Sequence, residues 1–323
     1  MRAIVNTGPG QLEMRELPKP EPGAGQALIR TAFCGICATD LQMIAGWERT
    51  GFPSIPGHEW SGVVEAVGPG TDRRIAGKSC VAENVLADGG EVGFEHPGGY
   101  GELFLTEARN VLPLPAGLEA AVAPLVEPLA VCVHALARLN RKIGVDEPVL
   151  VIGDGAIGLL LTAVLVHRGC RGVILVGGRP GRLALAAELG AVRTLNHHEL
   201  GSPFAPAVAA ATGRKFPLAF EASGSPVAVD ACLDIVEPLG TVVVIGDYGP
   251  ARASFPWSTV LHRQATLIGT NASAGAWPEA VRLAPKLPLA RLVSRRIPVT
   301  QFSEGLALVK ARDPSIVKVV LTW

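Results

Sequence analysis

Along the first third of the chain, apolar residues come in short bursts interrupted by Gly and Pro: Arg2–Asn6, Gln26–Ala32, Gly62–Val67 and Lys78–Glu83. Bursts of that length bounded by turn formers predict strands, so residues 1–122 are expected to form an irregular β-rich domain. From about residue 123 the texture changes. Val149–Ile152, Gly172–Val176, Ala219–Glu221, Thr241–Ile245 and Thr266–Gly269 are near-continuous apolar runs separated by amphipathic helical stretches. Strands that are apolar on both faces belong to a parallel sheet covered by helices on each side. Residues 123–271 are therefore expected to be a doubly wound α/β domain. Beyond residue 271 the alternation stops, and residues 272–323 are expected to return to the first domain and complete it. The longest apolar stretch, Ile157–Val166, is too short to span a bilayer and follows a glycine-rich loop as a buried helix would.

Composition narrows the partners. With 323 residues the chain can bury two separate cores. Its 29 basic and 29 acidic residues cancel, so nothing draws it to nucleic acid or an anionic membrane, and a small neutral substrate fits better. Six cysteines occur with no basic start, apolar run and cleavage site in residues 1–30. Reduced thiols and a cytoplasmic location are expected.

The strand Pro148–Ile152 runs into Gly153-Asp-Gly155-Ala156-Ile157-Gly158 and then a helical run. This is G-x-G-x-x-G in a strand–turn–helix setting. Gly153 permits the turn, Gly155 admits a pyrophosphate close to the backbone, and Gly158 lets helix and strand pack, with helix-start N–H groups facing the phosphates. A dinucleotide-binding Rossmann domain is the expectation. The second strand ends Val176-Gly177-Gly178-Arg179, without the carboxylate that would bond the adenosine ribose of NAD. Arg179 offers paired hydrogen bonds to a 2′-phosphate, so NADP(H) is expected over NAD(H). The alternative is a solvated arginine in a turn.

Residues Cys37-Ala-Thr39-Asp40 and Gly57-His58-Glu59 place a thiolate, an imidazole and carboxylates within a short stretch, and Glu127 opens the second domain. Singly each has a bland explanation: Cys37 as a small core residue, His58 as a satisfied buried histidine, Glu127 as a carboxylate favoured at a helix start. Their order before a nucleotide loop makes the set informative.

At this point the chain resembles the medium-chain zinc dehydrogenase family, its sorbitol and threonine dehydrogenase branch most closely. The resemblance spans nearly the whole length. It rests on Cys37-Ala-Thr-Asp40, Gly57-His-Glu59, Gly98-Gly-Tyr-Gly-Glu102, Glu127-Pro-Leu-Ala130, the nucleotide loop and Glu221-Ala-Ser-Gly224. It implies a GroES-like β-rich catalytic domain and one catalytic zinc on Cys37, His58 and Glu59, with Glu127 a ligand or joined through water. Thr39 is implied as acceptor of the alcohol proton and Asp40 as partner of the far nitrogen of His58. Ser223 and Gly246 join the cofactor set. An edge strand at Thr266–Gly269 implies a homodimer or homotetramer.

Two departures stand out. Gln42 occupies the place of a histidine that ends the family's proton relay, and Val81–Tyr100 lacks the four cysteines of a structural zinc lobe. One metal per chain is expected. Cys34 and the other four cysteines fit packing better than ligation. Trp47, Phe94 and Trp257 are candidates for shaping a substrate pocket. The expected reaction is hydride transfer between a secondary alcohol or polyol, or the matching ketone, and the nicotinamide cofactor. Polyols, amino alcohols and aminocyclitols of the 2-deoxy-scyllo-inosamine type all stay open as substrates. A zinc-free quinone or enoyl reductase would have no need of the Cys37–His58–Glu59 set, and a protein that kept the fold without catalysis would bind zinc and turn nothing over.

Overall fold

The computed structural model describes all residues except 48, 253–256 and 274. The chain forms two compact units, Met1–Glu127 with Trp277–Trp323, and Pro128–Ala276.

In the first unit a seven-stranded sheet is ordered Val293–Pro298, Lys318–Thr322, Gln26–Ile36, Glu59–Val67, Ser79–Ala82, Val111–Pro113, and Leu103–Glu107 pairs with Gln26–Ile36 off this path. Its core gathers Ile29, Ile36, Trp60, Tyr100, Phe104 and Leu321. Val319, Val320 and Leu321 are fully buried, and the β-rich core covers them, so the C-terminal segment closes the sheet antiparallel to Gln26–Ile36 with Val319 opposite Ile36. The Gln26 strand runs on to Ile36, beyond the alternating stretch that announced it. Its last residues pair Cys34 with Trp60 and Gly35 with Glu59. That extension delivers Cys37 beside His58 and Glu59.

The second unit is a parallel sheet ordered Arg193–Asn196, Gly172–Gly177, Pro148–Ile152, Phe216–Glu221, Val236–Val244, Thr266–Gly269. Val149, Leu150 and Val151 are fully buried, as strands covered on both faces must be. The helix Ala156–His167 buries every residue from Gly158 to Leu165. Chain order reverses at Pro148–Ile152, which puts the glycine loop at the switch point where such sheets bind ligands. Arg193–Asn196 carries no strand signal because only Leu195 of its four residues is buried. No helix among the described residues is long and apolar enough to cross a membrane.

The unit boundaries fall a few residues later than 122 and 271. The turn Ala123–Leu125 packs against the strands Gln26–Ile36 and Glu59–Val67, and Trp277 is almost wholly buried within the first unit.

Candidate active site

Cys37 follows the end of its strand and caps the helix Ala38–Ala45, with its backbone N–H donating to Asp40 Oδ2 at 2.8 Å. The cap is Cys37 itself, so Thr39 is left for another role. In Pro56-Gly57-His58-Glu59 the turn needs Gly57: its φ is +99°, and a Cβ there would meet Tyr100 Cδ1 at 2.6 Å. The strand that follows fixes His58 and Glu59 beside Cys37. Ligand atoms of Cys37, His58 and Glu59 all lie within 4.8 Å of one another, the one such group among the described residues.

The surroundings decide how each side chain is held. His58 Nδ1 stands 3.3 Å from Asp40 Oδ1, and Asp40 Oδ2 also accepts from the Tyr100 hydroxyl at 3.4 Å. Burial works against a charged His58, but Asp40 and then Cys37 outweigh it and raise its pKa well above the usual histidine range. Asn84 Nδ2 donates to the His58 carbonyl at 2.8 Å, while its Oδ1 accepts from Trp60 Nε1. Glu59 Oε1 accepts from Lys318 Nζ at 2.7 Å. Its second oxygen, Oε2, is buried with no hydrogen-bond partner, in space left by Gly35, where a Cβ would lie 2.4 Å from that oxygen.

Lys318 is the residue that sequence reasoning missed. It is almost fully buried, and although burial favours the neutral amine, Glu59 holds its pKa above the ordinary lysine value. Nothing local announces it, since a lysine starting an apolar strand normally snorkels to water.

Glu127 heads the helix Val126–Ala137 and is half-buried. Burial pushes its pKa up to about 7, with His58 opposing and Glu59 adding to the rise. It stands outside the three-residue group. Thr39 Oγ1 accepts from the Cys37 thiol at 3.6 Å. The Phe94 ring lies 4.7 Å from that of His58, with Trp47 edge-on to it at 6.4 Å. Arg49 covers Phe94 at 4.5 Å and bonds Glu91 at 2.7 Å and Glu95 at 2.6 Å. Trp257, by contrast, is 75% exposed on a helix of the other unit. All six cysteines are free. Burial, then Asp40 and Glu59, raise the Cys34 pKa well above the usual thiol range, and its thiol faces the Gly35 carbonyl.

In the nucleotide unit, Gly153 has φ +124°, and a Cβ on Gly158 would fall 1.9 Å from the Gly153 oxygen, so that pair is the close helix–strand contact. A Cβ on Gly155 would meet nothing within 4 Å. That open face, ahead of Ala156 and Ile157 at the helix start, fits the backbone approach a pyrophosphate requires.

Asp154, between the glycines, changes the picture at the second strand. Its Oδ2 accepts the backbone N–H groups of Gly178 at 2.9 Å and Arg179 at 2.8 Å, and its Oδ1 takes Arg179 Nη1 at 2.9 Å. No carboxylate is present in the strand's own residues, but one is present in space. A Cβ on Gly177 would lie 2.5 Å from Asp154 Cβ, so Gly177 is small to admit Asp154. Further along the sheet, buried Glu221 accepts the Ser223 N–H at 2.7 Å, the Ser223 hydroxyl and the Tyr248 hydroxyl. Gly246 packs on the same carboxylate, where a Cβ would lie 2.5 Å from Glu221 Oε2.

A family model described as an alcohol dehydrogenase GroES-like domain matches residues 23–116, and one described as a zinc-binding dehydrogenase matches residues 156–286. The chain is similar to the L-threonine 3-dehydrogenase of Saccharopolyspora erythraea, at 29% identity with 100% of this chain and 99% of the relative covered. It is similar to the D-altritol 5-dehydrogenase of Agrobacterium fabrum, at 29% identity with 99% and 98% covered. Among solved structures it is similar to galactitol-1-phosphate dehydrogenase from Escherichia coli, with a TM-score of 0.87, 25% identity and 100% of both chains covered.

Proposed function

Because the chain belongs to the zinc-dependent medium-chain dehydrogenase family, in its sorbitol- and threonine-dehydrogenase-like branch, we propose that it oxidises a secondary alcohol or polyol, or reduces the matching ketone, with one zinc per chain and a nicotinamide dinucleotide. The observation that carries this reading is that Cys37, His58 and Glu59 offer ligand atoms all within 4.8 Å of one another, while one oxygen of the buried Glu59 has no partner. A mixed sulfur, nitrogen and oxygen set suits zinc, and three ligands leave a position for substrate. Glu127 completes the set directly or through water.

When bound, zinc supplies Lewis acidity toward the alcohol oxygen and the dinucleotide supplies the hydride acceptor. The chain's own residues do the rest. Asp40 orients His58 so that its other nitrogen serves the metal. Lys318 cancels the Glu59 charge. Thr39, at 3.6 Å from the Cys37 sulfur, takes the alcohol proton. Gln42 cannot titrate, so residue 42 does not take that proton on from Thr39. Phe94 and Trp47 form the apolar side of the substrate position, and polyols, amino alcohols and aminocyclitols are the alternative substrate classes.

The dinucleotide contacts run along Gly153–Gly158, Gly177–Arg179, Ser223 and Gly246. A preference for NADP(H) over NAD(H) would rest on Gly177 in place of a carboxylate, on Gly178 and on the Arg179 guanidinium, which is bonded to Asp154. Self-association into a dimer or tetramer is supported by the edge strand Thr266–Gly269, where Leu267 is 37% exposed. Light scattering that shows a monomer at micromolar concentration would remove that part.

The function is tested by metal analysis with a panel of alcohols read by nicotinamide absorbance. One zinc per chain and turnover of at least one polyol or amino alcohol are expected. Cys37→Ser should lower turnover by more than about a hundredfold, beyond the loss that outer hydrogen-bond partners cause, with the unfolding midpoint nearly unchanged. Stoichiometric zinc with no turnover across the panel would instead favour a non-catalytic nucleotide-binding protein.

A further inference from the structure

Three donors converge on one point beside the nucleotide loop. The backbone N–H groups of Gly178 and Arg179 and the Arg179 guanidinium all lie 2.8–2.9 Å from Asp154 oxygens, and Arg182 approaches the same carboxylate at 3.7 Å. Two adjacent amides with a guanidinium make a built anion receptor. Its occupant is part of the chain. Asp154 is only 4% exposed, and the missing side chain at Gly177 gives it room.

We propose that Asp154 makes the chain select NAD over NADP by filling, from within the glycine loop, the niche that a 2′-phosphate on the adenosine ribose would need. The inference rests on the dinucleotide reading above. A 2′-phosphate must either displace a tethered carboxylate that already holds three hydrogen bonds or lie against it as a like charge. A bare ribose has no such conflict, because it carries no charge to set against the carboxylate and does not need the niche. An acidic residue at the end of the second strand commonly plays this part in dinucleotide folds. Here the strand ends in Gly177, and the carboxylate comes from the variable position of the loop instead. Arg179 and Arg182 make the neighbourhood basic, and the rings of His197 and His198, 3.9 Å apart, pack against Gly178. Removing the one negative charge therefore opens a phosphate site.

The test is calorimetric titration of the full wild-type chain with 5′-ADP and with 2′,5′-ADP, which reads binding without turnover. Wild type is expected to bind 5′-ADP at least about tenfold more tightly, the equivalent of one good charge-assisted contact. Asp154→Asn keeps the shape and removes the charge, and should tighten 2′,5′-ADP by about tenfold or more. Arg179→Ala should not tighten 2′,5′-ADP, since it takes a cation from the niche and leaves the Asp154 charge in place. Tighter wild-type binding of 2′,5′-ADP, lost in Arg179→Ala, would overturn the proposal, and it is readable even if Asp154→Asn does not fold. Binding of neither nucleotide would remove the dinucleotide reading, and this inference with it.

Discussion

Each unit of the molecule buries a carboxylate against a cation, and the two differ in what is left over. In the first unit Lys318 engages one oxygen of Glu59 at 2.7 Å while the other has no partner. In the second, both oxygens of Asp154 are taken by Gly178 and Arg179. A buried polar atom without a partner is costly, so the loose oxygen of Glu59 points to a ligand that completes it, whereas the saturated Asp154 closes its niche. The lesson concerns satisfaction rather than charge. Both residues are buried acids beside basic groups, yet only one is set to bind something new.

That contrast can be broken most forcefully at Lys318. Lys318→Met leaves Glu59 as an uncompensated buried charge and should cost about 3–5 kcal/mol, read as a fall in denaturant midpoint of the metal-free protein. Adding Glu59→Gln should recover most of the loss. If single and double variants are equally unstable, the pair contributes packing rather than charge compensation. A middle-sized effect is expected at Asp40→Asn, which keeps the helix cap's shape while weakening the hold on His58. Zinc affinity should fall by about 10–100-fold, measured by competition with a chelator, and an unchanged affinity would detach Asp40 from the metal centre.

The smallest effect sets the scale for pairs exposed to water. Glu65 is bonded by Arg30 at 2.9 Å and Lys19 at 3.2 Å, contacts that lower its pKa to about 2. The folded value lies below the unfolded one of about 4.3, so its stabilisation is present above pH 4.3 and is lost as pH falls toward 2. Solvent screening keeps the contribution under about 1 kcal/mol. Glu65→Gln should therefore lower stability slightly at pH 6, by less at pH 3 and hardly at all at pH 2, by urea titration. A difference that grows toward acid would reverse the sign and refute the assignment.

Much of the architecture was legible along the chain. The runs Val149–Ile152 and Gly172–Val176 read as covered parallel strands because burial on both faces demands continuous apolar sequence. Gly153, Gly155 and Gly158 read as a nucleotide loop because each glycine answers a separate steric demand. Cys37, His58 and Glu59 were legible as a set because metal chemistry restricts residue type. Arg193–Asn196 was not legible, since an edge strand with one buried residue has no periodicity to show. Phe94 and Trp47 gain meaning only from their distances to His58 and to each other.

The sequence by itself determined the two kinds of unit, the glycine loop between strand and helix, and the residue types of the proposed metal set, because periodicity, glycine geometry and ligand chemistry are local constraints. Only the tertiary structure decided what neutralises those groups. Lys318 reaches Glu59 through the pairing of Lys318–Thr322 with Gln26–Ile36, and Asp154 reaches Arg179 through the parallel pairing of Pro148–Ile152 with Gly172–Gly177. Charge compensation depends on distance across strands far apart in sequence, and sheet register alone sets that distance.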